Sequence, residues 1–148
     1  MEKKGNKYGI HRVLEPKGVL TQAALKIDNS VDEYYDNVCD VISLNIDSAS
    51  FSQIVGEVGR DEKKVAERIM QIVGERGKMQ NPVTGSGGMF IGTVCHIGGA
   101  LKDLDIKVGD KIASLVSLSL TPLKIEKIEK VHLDIDRVDV VAKAVLFE

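Results

Sequence analysis

The sequence predicts a single domain that is mainly β with a few helices (α+β), a small β-barrel or folded sheet carrying a helix. Three observations predict it. The chain has 148 residues, 43% of them hydrophobic and 28% charged, which suits one globular unit burying roughly 70% of its unfolded surface. Fourteen glycines stand beside three phenylalanines, three tyrosines and no tryptophan, so the core must come from valine, isoleucine and leucine between many tight turns. Finally, most apolar segments alternate at a period of two, and a clear helical period occurs in one place.

Taken in order, Tyr8 to Leu14 reads as a strand, closed by the turn Glu15-Pro16-Lys17-Gly18. Val19 to Ile27 reads as a second extended segment ending at Asp28-Asn29-Ser30, although Ala23-Ala24-Leu25 suits a helix equally. Val38 to Asp47 alternates Ile42, Leu44 and Ile46 with Val41, Ser43 and Asn45, predicting a strand with one more apolar face. A polar end, Asn45-Ile46-Asp47-Ser48-Ala49-Ser50, follows it. Asp61 to Lys78 carries Val65, Ile69, Ile72 and Val73 at helical spacing, acidic residues in its first turn, basic ones in its last and Gly77 as a stop. Asn81-Pro82 breaks that helix. Beyond it come a strand from Met89 to Ile97, a turn at Gly98-Gly99, another at Val108-Gly109-Asp110, the apolar run Ile112 to Leu120, and strands from Leu123 to Leu133 and Val138 to Phe147. The end, Val140 to Glu148, stops within a strand-like pattern with no polar tail, which leads us to expect a further domain beyond it.

Twenty basic and twenty-two acidic residues leave a formal charge of −2, with no basic excess to meet a phosphate backbone, so nucleic acid is not an expected partner. No apolar run approaches the ~20 residues of a membrane span, and the charged start Met1-Glu2-Lys3-Lys4 precedes no signal-peptide core. The expected location is the cytoplasm, without a membrane partner. Cys39 and Cys95 form no CxxC pair and read as reduced thiols.

Two groups of residues stand out as candidates for chemistry. Asn45, Asp47, Ser48 and Ser50 put an amide, a carboxylate and two hydroxyls at the end of a buried strand, where they suit a polar or cationic substrate. The same residues suit a helix cap or an Asx turn. Gly85-Ser86-Gly87-Gly88 reads either as an anion nest or as a tight turn that forms the wall of a cleft. It lacks the Lys-Ser/Thr of a P-loop and precedes a strand where a dinucleotide fingerprint needs a helix, so the cleft wall is preferred. Neighbouring Cys95 and His96 point to opposite faces of a strand, which suits no shared zinc. Asp134, Asp136 and Asp139 lack the glycine and glutamate of an EF-hand. No metal site is expected.

Gly92-Thr93-Val94-Cys95-His96-Ile97-Gly98, followed by Ile106-Lys107-Val108-Gly109-Asp110-Lys111-Ile112, resembles the N-terminal GroES-like catalytic domain of the medium-chain dehydrogenase/reductase superfamily. Val41 to Ser50 falls where that superfamily has the strand delivering its first catalytic residues. A closer resemblance covers nearly the whole chain. Gly9 to Gly18, Leu44 to Phe51, Asn81 to Met89 and Ala113 to Leu123 are similar to the N-terminal half of the 3,5-diaminohexanoate dehydrogenases, enzymes of lysine fermentation.

This resemblance implies a GroES-like, partly open β-barrel as the catalytic, substrate-binding domain over residues 1–148, with a Rossmann domain expected after residue 148. It implies oxidative deamination of a diamino acid with NAD or NADP, giving 5-amino-3-oxohexanoate and ammonia, in a homo-oligomer. The superfamily's zinc-ligand positions fall at Asp47 and at Gly87-Gly88-Met89, which implies a zinc-independent branch. On this basis Asp47, Ser48 and Ser50 are the expected catalytic residues. Asn45, Thr84, Gly85, Ser86 and Gly87 are the expected substrate-binding residues. The alternatives are an alcohol dehydrogenase-like enzyme with another substrate, and a stand-alone, non-enzymatic binding or assembly module.

Overall fold

The computed structural model describes residues 5–31, 37–101 and 103–147, so the charged start at Met1 to Lys4 lies outside them. It is mainly β with two α-helices among these residues, as the sequence predicts. The strands are β1 (Val13–Glu15), β2 (Lys26–Ile27), β3 (Asn37–Ile46), β4 (Gly88–His96), β5 (Lys111–Ala113), β6 (Leu123–His132) and β7 (Arg137–Leu146). Helices α1 (Ser48–Val58) and α2 (Glu62–Arg76) lie between β3 and β4. Five strands form one antiparallel sheet in the order β5-β4-β3-β7-β6, and β1 pairs with β2 in a second. Bulges at Val41/Ser43 and in β6 at Ile125/Lys127 and Ile128/Lys130 bend the large sheet, consistent with a partly open barrel.

One bulge overturns the predicted facing of β3. Ile42 was expected beside Leu44 and Ile46, yet it is 52% exposed while Val41 joins those two in the core. An extra residue in a strand reverses the in-out alternation on one side of it, so a period-two reading fails across the irregularity.

The core fills the space between the sheet and the helices. Leu44, Ile46, Phe90, Val94, Val138 and Ala144 of the sheet meet Phe51 and Ile54 of α1 and Val65, Ile69, Ile72 and Val73 of α2. Burying side chains of this size contributes about 1.5–3 kcal/mol each relative to leaving them exposed. α2 begins and ends as its sequence predicts. Asp61 Oδ1 accepts from Lys64 N at 3.0 Å, and Gly77 takes the left-handed conformation at φ 73° as its N–H donates to Val73 O at 2.8 Å. Asp61→Ala should therefore lower the unfolding free energy by about 1 kcal/mol, read from the urea midpoint, because an N-terminal amide loses its acceptor.

Three further expectations are corrected. Tyr8 to Leu14 is not one strand: Gly9, at φ 72°, opens a single 3-10 turn over Ile10–Arg12, and only Val13–Glu15 is extended. Between Val19 and Ile27 only Lys26–Ile27 pairs, because Ala23 N and Ala24 N both donate to Leu20 O and close a local turn. The apolar run Ile112 to Leu120 leaves the sheet at Ala113. There Ser114 Oγ accepts from Val116 N and Ser117 Oγ from Ser119 N, so side-chain hydroxyls replace the ladder partners and curl the chain.

Candidate functional site

The sequence stretch after β3 is a helix, α1, and not merely a polar strand end. Phe51, Ile54, Val55 and Val58 repeat at i, i+3, i+4 and i+7, and this apolar stripe is the sequence signal for the helix. Asp47 is its N-cap: Oδ1 accepts from Ala49 N at 3.0 Å and its carbonyl accepts from Phe51 N at 2.8 Å. The capping alternative for Asp47 is thus realised, and its side chain also stays exposed on the rim of a cleft.

That open cleft, of about 580 Å³, brings three segments together. Asn45 and Asp47 come from the end of β3, Gly85 to Met89 from the loop entering β4, and Leu115, Ser117 and Ser119 from the segment after β5, with Gln22 beside them. Asp47 N donates to Gly87 O at 2.8 Å, so Asp47 and the Gly85–Gly88 loop, expected to share a site, are neighbours.

The glycines form a wall that backbone approaches closely. A Cβ on Gly87 would lie 2.5 Å from Met79 O and 2.6 Å from Ser119 N, and one on Gly88, at φ 142°, would lie 2.1 Å from Asn45 O. Leu118 N donates to Gly88 O at 2.8 Å, which holds the third segment against the second. The cleft-wall reading of the loop fits this geometry. Thr84 is exposed at the loop's outer end, its Oγ1 2.8 Å from Ser86 Oγ, and Asn81 closes the turn by accepting from Val83 N and Thr84 N.

Three expected residues do not line the cleft: Thr84, exposed just before Gly85, faces solvent outside it, and Ser48 and Ser50 lie on α1. Ser48 is exposed on the first turn of α1 and does not line the cleft, and Ser50, on the same turn, is fully buried in the core, its Oγ without a partner among the described residues. Helical geometry separates them, since residues one and three positions beyond the cap project away from the Asp47 rim. Conversely, Gln22, Ser117 and Ser119 line the cleft without having been singled out. The alternating Ser-Leu pattern of 117–120 was the available signal, but it reads equally as strand alternation.

Charge is sparse around the site. Asp47 is the one carboxylate among the described lining residues, and no lysine or arginine accompanies it. Just behind, Lys78 is fully buried with Nζ donating to Thr21 O at 2.6 Å, and burial, helped by nearby Arg76, pushes its pKa down to about 8. Elsewhere, burial pushes the Cys39 thiol up to about 12, a structural thiol and no nucleophile. No group of three or more His, Cys, Asp or Glu residues suited to a metal occurs among the described residues. An adjoining apolar hollow of about 290 Å³, which shares Gln22 with the cleft and is bordered by Lys7, Tyr8, Leu20, Leu120, Val145 and Phe147, has no carboxylate, imidazole or thiol in its lining. The polar cleft is therefore the candidate site.

Known proteins share this sequence closely. A family model described as the L-erythro-3,5-diaminohexanoate dehydrogenase N-terminal domain matches residues 11–148. Curated proteins named L-erythro-3,5-diaminohexanoate dehydrogenase from Acetoanaerobium sticklandii and Fusobacterium nucleatum subsp. nucleatum are each 61% identical to it, over 98% and 99% of this chain respectively. In both cases the match spans 43% of the relative's length. The chain belongs to the family of L-erythro-3,5-diaminohexanoate dehydrogenase N-terminal domains.

Proposed function

We propose that this chain is the substrate-binding and catalytic half of an NAD(P)-dependent dehydrogenase that oxidatively deaminates L-erythro-3,5-diaminohexanoate to 5-amino-3-oxohexanoate in lysine fermentation. The observation that carries the proposal is the 61% identity, across almost the whole chain, to two curated proteins bearing that dehydrogenase's name. The same reading makes the domain a GroES-like barrel of the zinc-independent medium-chain branch, working in a cytoplasmic homo-oligomer.

The nicotinamide cofactor has no matching cradle among the described residues. β3 enters α1 through Asp47 without a glycine turn, and α2 follows another helix, so neither is the strand, glycine-rich turn and helix that a dinucleotide needs. We assign the cofactor to a separate half of the enzyme and derive no step through it. Within this chain, Asp47 faces the cleft as a carboxylate suited to pair with a substrate ammonium group. Gly87 and Gly88 let the neighbouring segments pack closely enough to form the cleft wall, while the Ser86 hydroxyl offers a hydrogen bond at the rim.

The test uses the full-length polypeptide, assayed with the diamino acid and NAD or NADP. Asp47→Asn keeps an N-cap oxygen for Ala49 N, so the fold is retained while the ion pair is lost. We expect kcat/KM to fall by about 100-fold. An unchanged kcat/KM would remove Asp47 from the mechanism, and turnover of a different amino acid or an alcohol in place of the diamino acid would overturn the proposed substrate.

A further inference from the structure

Of the cleft's three segments, the mechanism above uses two. The third carries a directed hydrogen-bond chain. Ser119 Oγ donates to Gln22 Oε1 at 2.7 Å and lies 2.7 Å from Ser117 Oγ. A hydroxyl has one proton, and that of Ser119 is committed to Gln22, so Ser117 must donate to Ser119. The chain ends on the amide oxygen of Gln22 and thereby sets that amide's orientation. Its Nε2 hydrogens have no acceptor among the described residues, and the side chain is exposed at the cleft.

The backbone beneath this amide is anchored with unusual effort. Lys78 Nζ donates to Thr21 O at 2.6 Å and to Gln22 O at 3.4 Å. Gln80 Nε2 reaches both Gln22 O and Gly85 O at 3.2 Å, tying the backbone at Gln22 to the glycine loop. Arg76 Nη1 lies 3.3 Å from Gln80 Oε1 and so sets which end of that amide donates. Burying an ammonium group against carbonyls alone, with no carboxylate among the described residues, is costly. An apolar side chain of similar length would fill the space more cheaply, but it would leave Thr21 O and Gln22 O without this donor.

We propose that Gln22 is a substrate-contacting residue whose Nε2 donates to the carboxylate of the bound amino acid, with Ser117, Ser119, Lys78 and Gln80 as positioning residues. The assignment rests on reading the cleft as the diamino-acid site. An ammonium group has only protons to offer, so of the substrate's charged groups the carboxylate is the one able to accept from Gln22. The substrate's opposite charges then meet different lining residues of the cleft, an ammonium group at Asp47 and the carboxylate at Gln22.

The experiment compares Gln22→Glu and Asp47→Asn in the full-length polypeptide, with the diamino acid and its carboxamide analogue as substrates. Glutamate keeps an acceptor for Ser119 at an exposed position, so the fold tolerates it. We expect Gln22→Glu to raise KM for the acid by about tenfold or more with kcat within about twofold, and to leave KM for the carboxamide unraised. Equal KM increases for both substrates, or none for either, would overturn the carboxylate contact. If Asp47→Asn is impaired while Gln22→Glu is silent, this assignment alone fails. If both are silent, the cleft is not the diamino-acid site, and the reading of the cleft falls with it.

Discussion

Gly88→Ala should lower the unfolding free energy by about 3 kcal/mol or more and abolish turnover in the full-length polypeptide. The new Cβ would stand 2.1 Å from Asn45 O and 3.0 Å from Asp47 N, main-chain atoms at the end of β3 and just beyond it, and φ of 142° is strained for any L side chain. Relief requires β3 and β4 to part where Ile46 pairs with Gly88, the point that brings Asp47 to Gly87. Gly85→Ala is the matched control. Its φ of 71° also favours glycine, but nothing lies within 4 Å of its Cβ, so it should cost only about 1 kcal/mol. Equal urea midpoints for the two variants would show that the wall yields easily and that close approach is not what the loop requires.

Lys78 makes the second large prediction. Lys78→Ala should destabilise the protein by about 2–4 kcal/mol, since it empties a fully buried site and strips Thr21 O of its donor. Lys78→Met should cost less, because it keeps the volume and removes a buried charge. The pH dependence separates these effects. The folded pKa of about 8 lies below the ordinary 10.5, so between those values the unfolded chain binds more protons and stability rises with pH. Below pH 8 the desolvation penalty is present in full. Cys39 acts in the opposite sense from pH 9 upward, because its folded pKa of about 12 exceeds its ordinary 9.0. The Lys78 contribution is therefore read between pH 8 and 9, as the difference in Tm between the parent and Lys78→Met. That difference should shift in the parent's favour as pH rises. A constant difference would mean that Lys78 does not lose its proton in this window.

Much of the fold was legible because it depends on local chemistry. α2 could be placed to within about two residues from an apolar stripe, an Asp N-cap and a glycine stop, all of which act within a turn or two of chain. β4, β6 and β7 were legible from alternation between turns. Where local patterns offered two outcomes, they were insufficient. Phe51 to Val58 carried a helical period that a preceding strand and a polar start obscured, and Ser114 to Leu120 alternated like a strand until its hydroxyls captured neighbouring backbone groups.

The candidate site divides in the same way. Asp47 and Gly85 to Gly87 could be singled out from the sequence, since a carboxylate after a buried strand and a glycine-rich loop each have a local physical meaning. Ser50 could not be separated from Asp47, because only the helical turn between them puts one on the rim and the other in the core. Gln22 and Ser119 are 97 residues apart, and no local pattern announces a bond between them. By itself, the sequence determined the β-rich class, the capped helix α2, the glycine wall and the family. Only the tertiary structure decided which polar groups share a cleft, because strand register, bulges and buried donors such as Lys78 act between segments that are distant in the chain.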